Sequence, residues 1–162
     1  MATMQKITPN LWFDNVAEEA VNYYVSIFKN SSIGRKSFYT KEGFEFHQKP
    51  AGTPMTIEFQ IEGQEFVALN AGPEFQFTEA VSFIVSCESQ EEIDYYWNKL
   101  SEGGPVESQQ CGWLKDKFGV SWQIIPTILT EIMSGNDSEQ MSKTMNAMFQ
   151  MKKLDIEKLK NG

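Results

Sequence analysis

One stretch of this sequence recurs within the chain, and this internal repeat limits the possible folds more than any other feature. Residues 19–28 match residues 91–100 in the spacing of their acidic, aromatic and apolar side chains. The same shift carries the apolar residues 11–13 onto residues 83–85. Because a β-rich segment and the amphipathic segment after it recur together, the repeating unit is predicted to be a strand followed by a helix.

The first copy predicts a β-α-β-β-β module. Alternating β-rich residues lead into a helix for which Asp14 or Asn15 offers the N-cap, and three β-like segments follow. The last two segments are joined by a tight turn at Glu62 and Gly63. The predicted elements are a strand at 7–13, a helix at 16–28 and strands at 32–39, 55–61 and 64–70.

The second copy predicts the same pattern in a shorter form. Ser89 with Glu92 three residues later forms a capping box, so a helix begins there, and a Gly-Gly-Pro sequence ends it near residue 102. A strand at 81–87 precedes this helix, and strand candidates follow it at 106–110, 111–116 and 120–126.

Residues beyond Pro126 change to a helical pattern that includes five of the eight methionines. Methionines at near-helical spacing favour a helix packing face, with a dimer contact or a lid as the alternatives. We therefore expect an α+β fold. Residues 1–128 form one domain of two modules, at about 5–77 and 78–128, and residues 129–162 form a helical extension of that domain.

Charge and residue counts exclude several classes of function. With 22 acidic and 14 basic residues the net charge is −8, which disfavours binding to nucleic acid or to anionic lipid. No apolar run reaches the roughly 20 residues of a membrane span, and residues 1–6 lack a signal-peptide core, so the expected location is the cytoplasm. Cys87 and Cys111 have no metal-site spacing, and His47 is the only histidine, which disfavours zinc sites and histidine-based catalytic triads.

Period-two alternation predicts which strand residues face away from the helices. Asn10 and Trp12 lie on this open face of the first strand, and Ser121, Gln123 and Ile125 lie on that of the last strand. Ala68 and Asn70 join them if the modules align with a slip of one residue. With Trp113 from the preceding strand, the predicted cleft offers amides and indoles without charge, which suits a neutral or modestly polar small molecule. The alternative is that these groups satisfy one another inside a dimer or a filled barrel.

Two further residues are weak catalytic candidates. Asp116 precedes Lys117-Phe118-Gly119, so its carboxylate either caps that turn or acts as an acid or base. His47 lies in a connection at residues 41–54 that is long enough to form a mobile flap, where a histidine is either solvated or catalytic.

Residues 7–14, 80–85 and 110–126 resemble the PhnB-like branch of the vicinal oxygen chelate superfamily, whose members are often labelled 3-demethylubiquinone-9 3-methyltransferase. The resemblance covers nearly the whole chain, including the methionine-rich tail. It implies two βαβββ modules whose sheets form a half-open barrel, commonly completed in a homodimer.

The resemblance also places the metal-ligand positions of related enzymes at Thr8, Ala68, Ala80 and Gln123. Only Gln123 has any ligand character, so we expect no metal and no other cofactor. The sequence has no glycine-rich strand-to-helix turn of the kind typical of S-adenosylmethionine sites, so the sequence itself does not support the methyltransferase label.

The sequence thus predicts a metal-independent, homodimeric small-molecule binding protein with a cleft lined by Asn10, Trp12, Asn70, Trp113 and Gln123. One alternative is an enzyme, either a lyase or isomerase that uses Asp116 or His47, or the labelled methyltransferase. Another is a resistance protein that sequesters a toxic compound.

Overall fold

The computed structural model describes residues 5–162, and the chain folds as two compact units. One unit ends at Gln76, and the other runs from Phe77 to Gly162. The described residues form seven strands in two sheets and six α-helices. The expected α+β class is confirmed, and each sheet is open rather than closed on itself.

The first unit contains a four-stranded sheet with strand order β1-β4-β3-β2. β1 runs parallel to β4, and the other neighbouring strands are antiparallel. Its elements are β1 (Asn10–Asp14), α1 (Ala17–Ile27), β2 (Ser32–Phe38), α2 (Phe44–His47), β3 (Pro54–Ile61) and β4 (Gln64–Ala71).

The core of the first unit lies between α1 and one face of this sheet. Leu11 and Phe13 are buried, whereas Asn10 and Asp14 at the ends of β1 are exposed, which is the alternation expected of a half-buried strand. Tyr24 of α1 stacks on Phe59 of β3 with ring centroids 6.2 Å apart.

The second unit contains a three-stranded sheet with strand order β5-β7-β6. β5 is parallel to β7, and β6 is antiparallel to it. The elements are β5 (Ser82–Cys87), α3 (Gln90–Ser101), a 3-10 helix (Val106–Ser108), β6 (Trp113–Lys115), β7 (Ser121–Pro126), α4 (Thr127–Met133), α5 (Ser138–Met148) and α6 (Ile156–Asn161).

The capping box of α3 is confirmed, but the strand predicted at 106–110 is wrong. The Ser89 hydroxyl accepts the N–H of Glu92 at 3.2 Å, while the Glu92 carboxylate accepts the N–H of Glu88 at 2.8 Å. After α3, the hydroxyl of Ser108 donates to the carbonyl of Pro105 at 2.7 Å and accepts the N–H of Lys115 at 3.0 Å. These local bonds hold the chain in a 3-10 turn, so the second sheet has three strands rather than four.

The predicted helical tail is confirmed, and its apolar residues pack within the second unit. Leu129, Leu154 and Leu159 form a buried cluster, against which four partly buried side chains pack: Ile125, Met133, Met148 and Met151. Backbone bonds add to this packing, since the N–H groups of Cys111 and Gly112 donate to the carbonyls of Met151 and Lys152 at 2.9 and 2.8 Å. The methionines at 133, 148 and 151 are therefore internal packing residues. No helix among residues 5–162 has both the length and the apolar character needed to cross a membrane.

Candidate functional site

The open face of the first sheet presents Asn10 and Trp12, as the alternation predicted. Asn10 is exposed, and Trp12 is partly buried beside Leu69 of β4. The Trp12 indole N–H donates to the carbonyl of Gly72 at 2.8 Å. Its ring meets the edge of Phe75 with centroids 4.9 Å apart, so the indole is held in one orientation.

Asn70 occupies the opposite, helix-facing side of this sheet. The parallel register pairs Asn70 with Phe13 and Ala68 with Leu11, so both β4 residues point toward α1. The expectation that Ala68 and Asn70 share the open face is wrong. Trp12 pairs with Leu69 as its repeat counterpart Ile84 pairs with Gln123, so Leu69 rather than Ala68 corresponds to Gln123.

The side chain of Asn70 caps α1 from a distant strand. Its Oδ1 accepts the N–H of Ala17 at 3.3 Å, and its Nδ2 donates to the carbonyl of Pro54 at 3.1 Å. Val16 precedes the helix and provides no side-chain cap. Neither Asp14 nor Asn15 takes the predicted N-cap position, since Asn15 adopts a left-handed φ of 61° and its N–H donates to Phe13 and Ala71 carbonyls. The buried amide of Asn70 thus supplies the missing partner at the helix N-terminus.

The open face of the second sheet brings Trp113 and Gln123 together. They are neighbours across β6 and β7, and both are partly buried. The Gln123 Nε2 donates to the hydroxyl of Ser82 on β5 at 2.9 Å. The indole therefore lies beside an amide whose orientation is fixed by a hydrogen bond, an arrangement suited to binding a flat molecule with a polar group.

Ser121 is a further polar residue of this face that the sequence-based site did not include. The registers place it between Ser82 and Lys115. It is buried, and its Oγ has no hydrogen-bond partner among the described residues. Period-two alternation put Ser121 on the open face with Gln123, but no sequence signal indicated that its hydroxyl would lack a partner.

Lys115 lies on the same face and forms an ion pair with an acidic residue. Its ammonium group forms an ion pair with the carboxylate of Glu79. The hydrogen bond from Lys115 lowers the pKa of the Glu79 carboxyl below its ordinary value. The face of the second sheet therefore contains an ammonium group, but one that is already neutralised by a neighbour.

Both carboxylate oxygens of Asp116 are engaged within the turn that follows β6. Oδ1 accepts the N–H groups of Phe118 and Val120 at 2.8 and 3.1 Å, and Oδ2 accepts the indole N–H of Trp122 at 2.9 Å. The residue is 1% exposed. Three N–H donors around a carboxylate suit the ionised form, which can only accept. This geometry supports a structural role for Asp116 in the turn rather than an acid–base role.

His47 lies in α2, within the connection predicted as a flap, and its ring is held by local contacts. Its Nδ1 accepts the N–H of Lys49 at 2.9 Å, and its Nε2 lies 3.1 Å from the carbonyl of Glu42. The imidazole also packs on Tyr39 with ring centroids 4.6 Å apart. Both ring nitrogens are thus used to organise the loop, and the candidate base has no nitrogen left over for a substrate.

The four positions inferred for metal ligands do not form a donor set. Ala68 is buried against the helix, Ala80 has no donor atom, and the Gln123 amide already bonds to Ser82. Within the part of the chain that the structure describes, no three His, Cys, Asp or Glu side chains converge. Thr8 and Gln123 alone do not fit a divalent cation, which requires several oxygen, nitrogen or sulfur ligands.

A separate cavity of about 210 Å³ lies within the first unit. Arg35 and Glu58 form its charged wall, joined by two hydrogen bonds of 2.8 and 2.9 Å. The bond from Arg35 lowers the pKa of the Glu58 carboxyl. Sequence reasoning missed this cavity, because Arg35 and Glu58 belong to different strands and no motif connects them. The residues that line the cavity also include Thr8, Ser32, Gln60, Glu65 and Val67.

Comparisons with known proteins match this architecture to one family. The model of the 3-demethylubiquinone-9 3-methyltransferase family matches residues 5–125. The PhnB protein from Bacillus cereus is 39% identical, with a TM-score of 0.64 over 75% of this chain and 99% of that one. None of the curated proteins matches the sequence.

More distant solved structures share the fold. The fosfomycin resistance protein FosX from Mesorhizobium loti has a TM-score of 0.51 at 10% identity, covering 87% of this chain and 99% of that one. Protein PA1353 from Pseudomonas aeruginosa has a TM-score of 0.52 at 20% identity, covering 76% of this chain and 98% of that one. The resemblance inferred from the sequence motifs is confirmed.

Proposed function

We propose a function for this chain from the premise that it belongs to the PhnB-like 3-demethylubiquinone-9 3-methyltransferase family, within the vicinal oxygen chelate superfamily. The proposed function is metal-independent binding of a small, neutral or modestly polar molecule. The observation that carries this proposal is the pairing of Trp113 with Gln123 on the open face of the second sheet. An oriented amide next to an indole offers both flat apolar surface and a directional polar contact.

The open face of the first sheet supplies a second set of proposed contacts. The Trp12 indole is fixed by the carbonyl of Gly72 and by Phe75. The exposed Asn10 lies two residues before Trp12 in β1 and therefore on the same face of the sheet. We assign Asn10 and Trp12 as proposed ligand contacts on this face, and Trp113 and Gln123 as proposed ligand contacts on the face of the second sheet. Asn70 is omitted because its amide is buried and bonded to Ala17 and Pro54.

Metal independence is part of the proposal because the side chains at the inferred ligand positions do not suit a metal. Thr8, Ala68, Ala80 and Gln123 provide one hydroxyl and one amide between them. Binding would therefore depend on hydrogen bonds and apolar contact, and it should be unaffected by chelators.

The test is a thermal-shift and calorimetric screen against aromatic and quinone-like compounds. A compound that binds the proposed face should stabilise the wild-type protein and should lose that effect in Trp113→Ala. Tyr95→Ala is the matched control, since it removes a partly exposed aromatic side chain from α3 rather than from the sheet. An unchanged response in Trp113→Ala would refute the assignment of this face.

Methyl transfer to an aromatic acceptor is the second candidate, and the family description favours it. It predicts saturable binding of S-adenosylmethionine and turnover of a demethylated quinol. A calorimetric titration without heat from S-adenosylmethionine would exclude it. Sequestration of a toxic compound would instead protect cells without consuming the compound.

Homodimer formation and a cytoplasmic location are also proposed. Ile84 lies in the edge strand β5, and Val81 immediately precedes that strand. Their side chains are 61% and 67% exposed, and exposed apolar side chains at a sheet edge are often covered in an oligomer. Light scattering should give twice the mass of one 162-residue chain, and a monomeric mass over the working concentration range would contradict the dimer.

A further inference from the structure

A row of polar side chains crosses the open face of the first sheet and lines the cavity of about 210 Å³. The strand registers pair Gln60 with Glu65 and Ser32 with Gln60. The parallel register of β1 and β4 brings Thr8, just before β1, beside Glu65. Because paired residues project to the same side of a sheet, a hydroxyl, a carboxylate, an amide and a second hydroxyl lie side by side along this wall.

A β-bulge in β2 turns Arg35 toward the same face. Ile33 pairs with Phe59 and Lys36 pairs with Ile57, so three steps along β2 match two steps along β3. Without this extra residue, the alternation of side chains would direct Arg35 to the side of Ile33, toward α1. Bulges of this kind often re-aim a side chain next to a functional site.

The bulge separates two basic side chains onto opposite sides of the sheet. The guanidinium of Arg35 donates to both carboxylate oxygens of Glu58 at 2.8 and 2.9 Å, whereas the ammonium of Lys36 lies 4.0 Å from Glu18 of α1. Gly34 lets the bulged strand approach β3, since a Cβ there would lie 3.3 Å from the carbonyl oxygen of Glu58. The charge of the Glu58 carboxylate is therefore neutralised by Arg35.

Glu65 keeps an uncompensated negative charge in this cavity. The charged residues that line it are Arg35, Glu58 and Glu65, and the first two neutralise each other. Among residues 5–162, no basic side chain forms an ion pair with Glu65. The side-chain amide of Gln5 bonds to the backbone N–H and carbonyl of Glu65 at 3.3 and 3.1 Å, which holds this end of β4 in place. The cavity thus favours a cation over a neutral or anionic ligand.

The groups around this charge match the hydrogen-bonding needs of an ammonium ion. A primary ammonium has three N–H donors and no acceptor. The Glu65 carboxylate, the Gln60 side-chain carbonyl and the Thr8 hydroxyl provide three acceptors in neighbouring positions, and none of these groups is bonded to another residue within 5–162. A calcium ion suits the row less well, because it takes about six to eight oxygen ligands and the row has one free carboxylate.

We propose that this cavity binds a small primary alkylammonium compound. Its ammonium group donates to Glu65, Gln60 and Thr8, and its alkyl chain lies against Val67, two residues beyond Glu65 on the same face. The volume of about 210 Å³ is below the roughly 300 Å³ at which pockets for drug-sized ligands begin, so the ligand is small. This site uses none of the ligand contacts assigned above, and it goes beyond the proposed function.

The probe for the test is n-butylamine, which is a cation at pH 7. It is titrated into ¹⁵N-labelled protein at constant ionic strength while the backbone N–H signal of Val67 is followed. In the matched probes, 1-butanol lacks the charge and n-butyltrimethylammonium lacks the N–H donors. Wild type is expected to bind n-butylamine about tenfold more tightly than either, a factor in the range of one charge-assisted hydrogen bond. Equal affinities for the three probes, or no saturable shift with n-butylamine, would overturn the proposal.

Glu65→Gln keeps the length of the side chain but removes its charge, and it should weaken n-butylamine binding about tenfold or more. Glu19→Gln is the control, because Glu19 is exposed on α1, which covers the other face of the sheet. It makes the same change in net charge and should bind n-butylamine like wild type. Thr8→Val removes one acceptor at nearly constant volume and should weaken binding about threefold. A Glu65→Gln variant that binds like wild type would overturn the proposal.

Two other occupants are tested with the same signal. Magnesium and calcium chloride test for a metal site, and Nα-acetyl-lysinamide presents the same ammonium group on the side chain that a partner protein would offer. We expect no saturable shift with either metal salt, and we expect the lysine derivative to bind no more tightly than n-butylamine. Saturation by a metal salt, or binding of the lysine derivative more than about tenfold tighter, would overturn the assignment to a free amine.

Discussion

The side-chain oxygen of Asn70, on β4, accepts the backbone N–H of Ala17 at 3.3 Å and so caps a helix that lies far from it in sequence. Asn70→Ala would leave this N–H and the carbonyl of Pro54 without their partner. We expect a loss of about 2 kcal/mol in the free energy of unfolding, measured by urea denaturation. Asn10→Ala, at an exposed position of β1, should change that free energy by less than about 0.5 kcal/mol. Equal unfolding midpoints for the two variants would contradict the capping role.

We expect Asp116 to stabilise the folded protein through the hydrogen bonds that its carboxylate accepts at the turn between β6 and β7. In Asp116→Asn, one carboxylate oxygen becomes an NH₂ group, which cannot accept from the N–H groups that surround it, including the indole of Trp122. The expected loss is about 2–4 kcal/mol of unfolding free energy. Trp122→Phe removes the indole donor, so the double variant should lose less than the sum of the two single variants. A double variant whose loss equals that sum would show that the two side chains are not coupled.

Gly112 and Gly52 form a matched pair for testing how the tail is attached. Their φ angles are 87° and 90°, so alanine is similarly strained at either position. A Cβ at Gly112 would lie 3.0 Å from Leu154 and 3.1 Å from Ile125, whereas one at Gly52 has nothing within 4 Å.

Gly52→Ala should therefore cost about 1 kcal/mol of unfolding free energy, and Gly112→Ala about 1–3 kcal/mol more. Amide hydrogen exchange in α6 should also become faster in Gly112→Ala alone. Similar losses of unfolding free energy in the two variants would mean that Leu154 of the tail is not packed closely against Gly112.

Cys87 is expected to report on the unfolding of the second unit at alkaline pH. Burial, with a smaller contribution from Glu92, raises the pKa of its thiol to about 12, while a cysteine in an unfolded chain titrates near 8.5. Between these values the unfolded state releases a proton that the folded state keeps. The contribution of Cys87 to stability is thus present below about pH 8.5 and declines as the pH rises toward 12.

Stability measured across this range should fall more steeply in wild type than in Cys87→Ala. Thiol reagents at neutral pH should modify the partly exposed Cys111 in the folded protein and reach Cys87 only on unfolding. Identical pH slopes in the two proteins would contradict the proposed linkage.

Local sequence signals were sufficient for most of the fold. Alternation identified the strands, and the capping residues of α3 marked its start, because both patterns depend on neighbours in the chain. The strand expected at 106–110 failed because the Ser108 hydroxyl bonds to Pro105 and Lys115, a local competition that β propensity does not include.

The candidate site was less predictable, because side-chain partners come from distant strands. Trp113 and Gln123 could be placed on one face from period two alone. The face on which Asn70 lies depends on the register between β1 and β4, and a shift by one residue reverses it. The unused hydroxyl of Ser121 is a property of its three-dimensional surroundings and has no counterpart in the sequence.

The region that matches the family model and the region that folds as one packed unit end at different residues. The matched region ends at residue 125, yet Ile125 packs against the buried cluster of Leu129, Leu154 and Leu159. A chain that ended at residue 125 would expose to water the apolar side chain of Ile125, which the tail covers in the full chain. In this protein, residues beyond the matched region complete the core next to the last strand of the matched part.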